Sequence, residues 1–259
     1  MDVKPKTTDM KYPGRIIKEG ESNTAIVKAI QKKLMELNIG NLEGTGTYGV
    51  KTKNAVKLFQ ATHMDQFGNP LEVDGHVGSL TWATLFGTES IVTTDTAPNN
   101  LLTETLKVAV KQLGVMEDPP GSNKGPVVDQ YLASVGLPSG LFWCAAFVYW
   151  GFDKASTTLG KKNPLFKTGH VMTHWNKTTG KKITTDEAVN KPSLIKPGHI
   201  FIMNTGGAAG HTGIVEKVEG GFIHTIEGNS NNAGSRNGIG VFRLQRKIGK
   251  INRGFIEYK

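Results

Sequence analysis

The sequence predicts an α+β protein with two domains, in which a small three-helix domain precedes a larger domain that packs its N-terminal helices on an antiparallel β-sheet. In the first half of the chain, apolar residues recur three and four positions apart, as in Ile26, Ile30, Leu34 and Leu37, which is typical of one face of a helix. From Ile195 onward, short segments rich in Val, Ile and Phe alternate with Gly and Asn clusters, which is typical of antiparallel strands. Helices first and strands afterwards favour an α+β domain over alternating βαβ units.

Changes in composition along the chain predict the domain boundaries. Residues 1–21 are polar and predict a tail, residues 22–88 predict the first domain, residues 89–100 predict a linker, and residues 101–259 predict the second domain. The second domain is expected to open with an amphipathic helix that carries Leu102 and Leu106. Its predicted strands are residues 199–203, 212–218, 222–227, 239–244 and 251–258.

The composition is that of an ordinary globular protein with a cationic surface. The 259 residues are 37% hydrophobic and 20% charged, and the formal net charge is +9. An excess of Lys and Arg favours polyanionic partners, but the basic residues are scattered and form no dense arm for nucleic acid. No apolar run approaches the roughly 18 residues of a membrane span, and residues 1–21 lack the apolar stretch of a secretory signal. We therefore expect no nucleic-acid partner and no stable membrane insertion.

An internal repeat organises the first domain. The spacing Gly-x-x-Gly-x-x-Thr begins at Gly46 and again at Gly75, 29 residues later. The matching spacing favours a duplicated unit over two independent loop–helix joints. Each copy offers glycines for a tight turn and a threonine, Thr52 or Thr81, that we expect to cap the helix that follows. The helix before the first copy is predicted to end at Gly40.

The single cysteine, Cys144, stands at the start of a long apolar run. A lone thiol can form neither an internal disulfide nor a cysteine-rich zinc site. Residues 136–140 contain two glycines and a proline, so Cys144 is predicted to lie in the first turn of a buried helix. The free N–H groups and positive dipole end at that position favour thiolate over thiol. Cys144 is thus either a small buried hydrophobe or a nucleophile.

A nucleophilic thiol needs a base and a group that orients the base. His211 follows a Gly-rich loop at a predicted strand end, and the next predicted strand ends in Glu227 and Asn229, which face the same side. A three-residue turn between the strands, or a bulge near Gly228, would place His211 on that side. A two-residue turn at Gly220 and Gly221 would turn both partners away.

A competing constellation is the pair His170 and His174, which lie four residues apart. On a helix they would share one face, as zinc ligands do. The glutamate of a His-Glu-x-x-His motif is missing and no third ligand is apparent, so the pair is a weak indication of a metal site. We expect no cofactor and no metal.

Four further residues are candidate substrate contacts. His174 and Trp175 are expected to line the cleft of the thiol. The polar, turn-rich segment 117–126 is either an ordinary loop or a wall of that cleft, with Asn123 as the contact. Trp143, next to Cys144, either flanks the groove or belongs to the core.

The first domain resembles a peptidoglycan-binding domain of the small three-helix type. The resemblance rests on Ile-Gln-Lys-Lys-Leu at residues 30–34, on Thr52 to Gln60, and on Val-Asp-Gly-His-Val-Gly-Ser-Leu-Thr-Trp-Ala-Thr-Leu at residues 73–85. It covers about residues 22–88. It implies that the domain binds the bacterial cell wall.

The second domain resembles the CHAP family of papain-like, cysteine- and histidine-dependent amidohydrolases or peptidases. The specific part is the order Cys144, then His211, then Glu227-x-Asn229, within the motifs Trp-Cys-Ala-Ala-Phe-Val, Gly-His-Thr-Gly-Ile-Val and Glu-Gly-Asn. The resemblance implies that Cys144 is the nucleophile and His211 the general base. It implies that Glu227 orients His211, that Asn229 assists, and that the Cys144 N–H is an oxyanion donor. The acidic calcium loop of some members is absent before Cys144.

Together the two resemblances imply a monomeric hydrolase that cleaves an amide bond of bacterial peptidoglycan, as a muramoyl-L-alanine amidase or a peptide endopeptidase. A polar first segment without a signal implies a phage endolysin that accumulates in the host cytoplasm before it reaches the wall, or a protein delivered by a non-classical route. The alternatives are a zinc-dependent wall peptidase that uses His170 and His174, and a non-catalytic peptidoglycan-binding protein.

Overall fold

The computed structural model describes residues 10–207, 209–231 and 238–259. Residues 1–9 of the predicted tail, and Ala208 of the Gly-rich loop before His211, lie outside the described residues. The chain divides into two compact units. The first is Met1–Thr93 with Val189–Pro192 and Glu219–Gly221, and the second is Thr94–Ala188 with Ser193–Val218 and Phe222–Lys259.

The first unit contains three helices, α1 (Thr24–Glu36), α2 (Val50–Thr62) and α3 (Ser79–Phe86). Their apolar faces meet in one core that includes Ile30, Phe59 and Trp82, each fully buried. The predicted face of the first helix is rotated slightly, because Val27 is buried while Leu37 is 40% exposed. The predicted helix end at Gly40 is also wrong. The helix ends at Glu36, and Asn38 takes the left-handed conformation that ends it, with φ 56°.

The repeat is built as two equivalent hydrogen-bonded clamps, each centred on a buried glutamine. The Gln31 side chain accepts from Gly46 N (2.8 Å) and donates to Thr47 O (3.1 Å) and Thr52 Oγ1 (3.0 Å). The Gln60 side chain makes the same three bonds 29 residues later, to Gly75 N (2.8 Å), His76 O (2.9 Å) and Thr81 Oγ1 (3.2 Å). Each amide ties the end of a loop to the helix before it and the helix after it. The equivalence supports a duplicated unit.

The prediction that Thr52 and Thr81 cap their helices is wrong. The N-cap residues are Gly49 and Gly78, and neither makes a side-chain cap bond. The threonines lie one turn further on, inside α2 and α3, where their hydroxyls accept from the clamp glutamines instead. The sequence pattern therefore located the joint correctly but assigned the wrong partner to the threonine.

The segment predicted as a linker has regular contacts. Thr88–Ser90 forms a 3-10 helix, and Ile91 is only 3% exposed in the core of the first unit. Further on, Thr94 exchanges two backbone hydrogen bonds with Val218, at 2.9 and 2.8 Å. The predicted linker is thus partly ordered, because Ile91 packs in a core and Thr94 pairs with Val218.

The rest of the chain forms five helices and a six-stranded antiparallel sheet. The helices are α4 (Asn100–Val110), α5 (Val128–Ser134), α6 (Cys144–Thr158), α7 (Val171–Lys177) and α8 (Thr185–Asn190). The strands are β1 (Lys181–Ile183), β2 (Ile200–Gly206), β3 (Ala209–Glu219), β4 (Phe222–Ser230), β5 (Gly240–Lys247) and β6 (Gly254–Glu257). Their order in the sheet is β1-β6-β2-β3-β4-β5. The predicted α+β class is confirmed, and β1 is a strand that the sequence analysis did not predict.

Helix α6 packs directly on β4 because Gly228 has no side chain. A Cβ at that position would lie 2.6 Å from Trp143 and 2.7 Å from Phe147. Both aromatic residues are fully buried, and they belong to a core cluster that also contains Ile226 and Ile202 of the sheet. This close approach brings the N-terminus of α6 to the sheet. None of the helices in the described part of the chain has the length and apolar character that crossing a bilayer requires.

Candidate active site

Cys144 is the first residue of α6. Its predecessor Trp143 is the N-cap, and no side chain caps this helix end, so the first backbone N–H groups are not used by a capping side chain. The helix places the thiol at the positive end of its dipole, as the sequence predicts. Cys144 is 4% exposed, so its environment is set almost entirely by neighbouring side chains.

The His211 imidazole is held by the Glu227 carboxylate and lies near enough to Cys144 for the thiol to influence its pKa. Its Nε2 lies 2.7 Å from Glu227 Oε2, and its Nδ1 is buried with no hydrogen-bond partner among the described residues. Burial acts to lower the pKa of His211, but its interactions with Cys144 and Glu227 outweigh burial and raise that pKa to about 9. With Nε2 engaged by Glu227, Nδ1 is the nitrogen available to the thiol. At neutral pH both ring nitrogens carry a proton, so the ring is an imidazolium.

Glu227 is fully buried and is held by Arg246. The Arg246 guanidinium donates from Nε to Oε1 and from Nη2 to Oε2, both at 2.6 Å. Thr225 Oγ1 also donates to Oε1, at 2.5 Å. Burial acts to raise the pKa of Glu227, yet the bonds from Arg246 and His211 lower it to about 2. The carboxylate is therefore ionised, fixed in one orientation, and aimed at His211.

Arg246 is a residue that the sequence analysis missed. It lies on β5, where its strand partner is Ile223, and its guanidinium stacks over the Phe201 ring at 5.5 Å. The same ring lies 5.9 Å from the His211 ring. No local motif marks Arg246, because its relation to Glu227 follows only from the register of β4 and β5.

The turn between β3 and β4 differs from the one expected to be needed for the site. Only Gly220 and Gly221 connect the strands, with φ 56° and 87°. A regular two-residue hairpin would point Glu227 away from His211, yet the two side chains are hydrogen bonded. The pairing of β3 with β4 must therefore shift by one residue between the turn and the site, which brings the two side chains to the same face of the sheet. A separate irregularity, between Glu227 and Ser230, interrupts the pairing of β4 with β5.

Asn229 makes no hydrogen bond to His211 among the described residues. Its Nδ2 donates to Asn123 Oδ1 (2.8 Å), Glu117 Oε1 (3.2 Å) and Gly238 O (3.3 Å), and its Oδ1 is buried without a partner. Asn229 takes the left-handed conformation, with φ 54°, beside the strand irregularity. The structure therefore places it one step from the Cys144–His211–Glu227 group, in a network that Glu117 joins.

Two of the residues expected to contact substrate belong to that same network. Trp143 is fully buried, stacks on Tyr131 at 5.5 Å, and donates from Nε1 to Glu117 at 2.8 Å. Asn123 is partly exposed and left-handed, with φ 55°. This burial favours a core position for Trp143 over a position that flanks the groove. Asn123 retains access to solvent.

His174 and Trp175 lie inside the fold. His174 is 3% exposed and its Nε2 lies 2.8 Å from the Tyr258 hydroxyl, and burial lowers the pKa of His174 to about 4. Trp175 is 6% exposed, with Lys182 and Arg253 over its ring at 5.0 and 5.4 Å. Such burial gives no support to a substrate contact at either residue. Among the described residues, no three His, Cys, Asp or Glu side chains converge as metal ligands.

The first unit contains a half-open cavity of about 270 Å³ beside its first clamp. Its walls include Thr45 and Thr47 of the loop and Val50 at the start of α2. Val50 is 63% exposed, whereas its equivalent in the second copy, Ser79, is 4% exposed. The two copies thus share a clamp but differ in the surface above it.

Two family models match the chain. Residues 136–229 match the CHAP domain, and residues 23–85 match the peptidoglycan binding domain. Both resemblances drawn from the residues are thereby confirmed, in the predicted order along the chain, and the CHAP match contains Cys144, His211, Glu227 and Asn229. No curated protein and no solved structure matches the chain. The two domains together support a peptidoglycan hydrolase of the amidase or peptidase kind.

Proposed function

We propose that this chain, with its CHAP domain and its peptidoglycan-binding domain, cleaves an amide bond of bacterial peptidoglycan through a cysteine nucleophile. The observation that carries the proposal is the order of contacts at the site. Cys144 begins α6, His211 offers it an unpartnered Nδ1, and Glu227 holds the opposite nitrogen at 2.7 Å. This is the nucleophile, base and orienting group that thiol hydrolysis requires.

The raised pKa of His211 favours transfer of the Cys144 thiol proton to the imidazole, as a general base requires. In the first step the Cys144 sulfur attacks the amide carbonyl and forms a carbon–sulfur bond. The negative charge moves to the carbonyl oxygen, next to the free N–H groups at the start of α6, of which the Cys144 N–H is the nearest candidate donor. His211 then gives its proton to the amine nitrogen, the carbon–nitrogen bond breaks, and an acyl-enzyme is left.

In the second step His211, now neutral, takes a proton from water, and the hydroxide attacks the thioester carbonyl. The carbon–sulfur bond breaks and a carboxylic acid leaves. The free Cys144 sulfur and the protonated His211 are then ready for the next cycle. Glu227 keeps the His211 ring in place through both steps, in its protonated and in its neutral form. Ionised Glu227 suits this role because Arg246 keeps it charged and prevents it from turning.

The peptidoglycan-binding domain would keep the catalytic domain at an insoluble substrate and raise its local concentration. The cavity beside the first clamp is the candidate contact. Replacing Val50 by Glu should weaken co-sedimentation with purified walls and leave hydrolysis of soluble wall fragments unchanged. Val73→Glu, the same change at a half-exposed valine of the same unit outside the cavity walls, serves as the control. Equal binding by Val50→Glu and the unmodified chain would place the contact elsewhere.

Hydrolysis of purified walls by Cys144→Ala and Cys144→Ser tests the mechanism. Both variants should bind walls as before and release no fragments, since neither carries a thiol. Mass spectrometry of the fragments from the unmodified chain identifies the bond, and so separates muramoyl-L-alanine amidase from endopeptidase. Undiminished hydrolysis by Cys144→Ala, together with loss of activity to a chelator, would favour the zinc peptidase instead. Binding without fragments from the unmodified chain would favour a non-catalytic binding protein.

A further inference from the structure

Glu117 is a buried carboxylate whose contacts are all neutral donors. Its backbone runs beside the start of β5, where Glu117 N donates to Ile239 O at 2.8 Å. The side chain is 3% exposed. It accepts from Trp143 Nε1 (2.8 Å) and Asn229 Nδ2 (3.2 Å) through Oε1, and from Asn123 N (3.0 Å) through Oε2. No cation pairs with it in the described part of the chain.

Burying the Glu117 carboxylate without a paired cation is energetically unfavourable. Removing an ionised group from water is unfavourable unless hydrogen bonds or an opposite charge compensate. Here three N–H groups share that task. Two belong to Trp143 and Asn229, far along the chain, and the third belongs to Asn123, in the same loop as Glu117 itself. The geometry therefore makes Glu117 the junction between separate parts of the fold.

The parts that Glu117 joins carry the reacting groups. Trp143 directly precedes Cys144 at the start of α6, and Asn229 follows Glu227 by two residues on β4. Asn123 closes the network because its Oδ1 accepts from Asn229, at 2.8 Å. Its carbonyl also accepts from Gly140 N, at 3.0 Å, on the loop that leads to the nucleophile. One carboxylate thus contacts the residue that precedes α6 and a residue of β4 directly, and it reaches the loop before the nucleophile through Asn123. The relative placement of these parts sets the distance from thiol to imidazole.

We propose that Glu117 is a positioning residue that fastens the start of α6 to β4 and so sets the approach of Cys144 to His211. This inference rests on the proposed cysteine mechanism. It also gives Asn229 a role: the amide acts through Glu117 and Asn123 rather than on His211. Glu117 lies outside residues 136–229, the part that matches the CHAP family. A misplacement of about 1 Å at a reacting pair can lower a rate by 10²-fold, so a modest shift of α6 would be measurable.

The test uses Glu117→Gln and Trp143→Phe in the full chain. Glu117→Gln keeps the size of the side chain but faces the Asn123 N–H or the Trp143 N–H with another donor. Trp143→Phe removes the indole N–H from the other side of the same bond. Glu216→Gln is the control, since Glu216 is a partly exposed carboxylate on β3 that pairs with Arg243. Three quantities are measured: kcat and KM on soluble wall fragments, the rate of Cys144 alkylation by iodoacetamide, and the urea midpoint of unfolding.

We expect Glu117→Gln and Trp143→Phe each to lower kcat and the alkylation rate by about 10-fold or more, with KM within about twofold. Both changes act on the hydrogen bond between Glu117 and Trp143. The double variant should therefore lose little more activity than the worse single variant. Glu216→Gln should match the unmodified chain. A structural role alone predicts a lower urea midpoint with unchanged kcat and alkylation in the folded protein, and that result overturns the proposal. If Glu117→Gln does not fold, an unchanged alkylation rate in Trp143→Phe overturns it equally.

Alkylation separates this inference from the proposed function. Cys144 is the one cysteine of the sequence, so iodoacetamide reports its reactivity without any peptidoglycan. Continued hydrolysis by Cys144→Ala would defeat the cysteine mechanism whatever Glu117 does. Loss of hydrolysis in Cys144→Ala with normal alkylation and kcat in both Glu117→Gln and Trp143→Phe would defeat only the role of Glu117.

Discussion

Replacing Arg246 by Met should destabilise the catalytic domain by about 3–5 kcal/mol, because it leaves a buried charge without its partner. Glu227 is fully buried and Arg246 is 15% exposed, and their two hydrogen bonds measure 2.6 Å each. Without the guanidinium, the side-chain donors that Glu227 keeps within residues 10–207, 209–231 and 238–259 are His211 and Thr225. For a domain of this size, each kcal/mol lowers Tm by about 2–4 °C, so a fall of about 10 °C is expected.

The chain supplies a matched control three residues earlier on the same strand. Arg243 binds Glu216 in the same two-bonded manner, at 2.6 and 2.8 Å, but the pair is on the surface, with Arg243 51% and Glu216 24% exposed. Solvent screens such a pair, so Arg243→Met should cost about 0–1 kcal/mol. The double variant Glu227→Gln with Arg246→Met removes both buried charges and should recover much of the loss.

Urea unfolding of the full chain, followed by tryptophan fluorescence, measures these differences. Three of the four tryptophans, Trp143, Trp150 and Trp175, lie in the second unit and report its transition. A cost for Arg246→Met as small as that of Arg243→Met would refute the argument, since burial would then make no difference to the pair. Failure of the double variant to recover stability would show that packing of Arg246 on Phe201, rather than charge, is what the domain loses.

Three further predictions follow from the geometry. Because the pKa of His211 is raised to about 9, its imidazolium persists at neutral pH and is lost as the pH rises through about 9. The value of kcat/KM on wall fragments should therefore fall on the alkaline side near that pH, and a fall near 6.5 would contradict the raised pKa of His211. Gly228→Ala should destabilise the catalytic domain by about 1–3 kcal/mol in urea unfolding, since its Cβ would lie 2.6 Å from Trp143. Gly44→Ala, whose Cβ would make only an ordinary contact with Met35 at 3.7 Å, should change stability little, and equal effects would contradict the packing argument. Gln31→Leu and Gln60→Leu should each cost about 1–3 kcal/mol in the three-helix domain, because each leaves buried backbone groups unpaired, and calorimetry that finds either change neutral would rule out the clamp as a source of stability.

The local parts of the site could be predicted from the sequence. Cys144 follows residues that cannot continue a helix, so its place at a helix start is readable, and Glu227 stands in a recognisable strand end. Arg246 and Glu117 could not be predicted in the same way. The first reaches Glu227 only through the pairing of two strands, and the second reaches Asn229 across 112 residues of chain. Long-range partners depend on register, which a hydrophobic pattern does not specify to one residue.

The hairpin of β3 and β4 also shows that a sequence can predict a turn without predicting the register of the strands. The Gly220–Gly221 pair is a strong signal for a two-residue turn, and the structure has that turn. Regular alternation from such a turn predicts that His211 and Glu227 face opposite sides, which is wrong because the strands are offset before they reach the site. Irregularities of this kind are common near active sites, and a sequence carries little sign of them.

The paired glutamine clamps have a consequence for how the three-helix domain unfolds. Helix α2 ends the first copy and begins the second, so it takes part in both clamps through Thr52 and Gln60. Helices of 8–13 residues are marginal alone in water. Neither copy can therefore melt while the other survives. We expect one cooperative transition rather than two, and a truncation anywhere between the copies should cost the domain its whole fold.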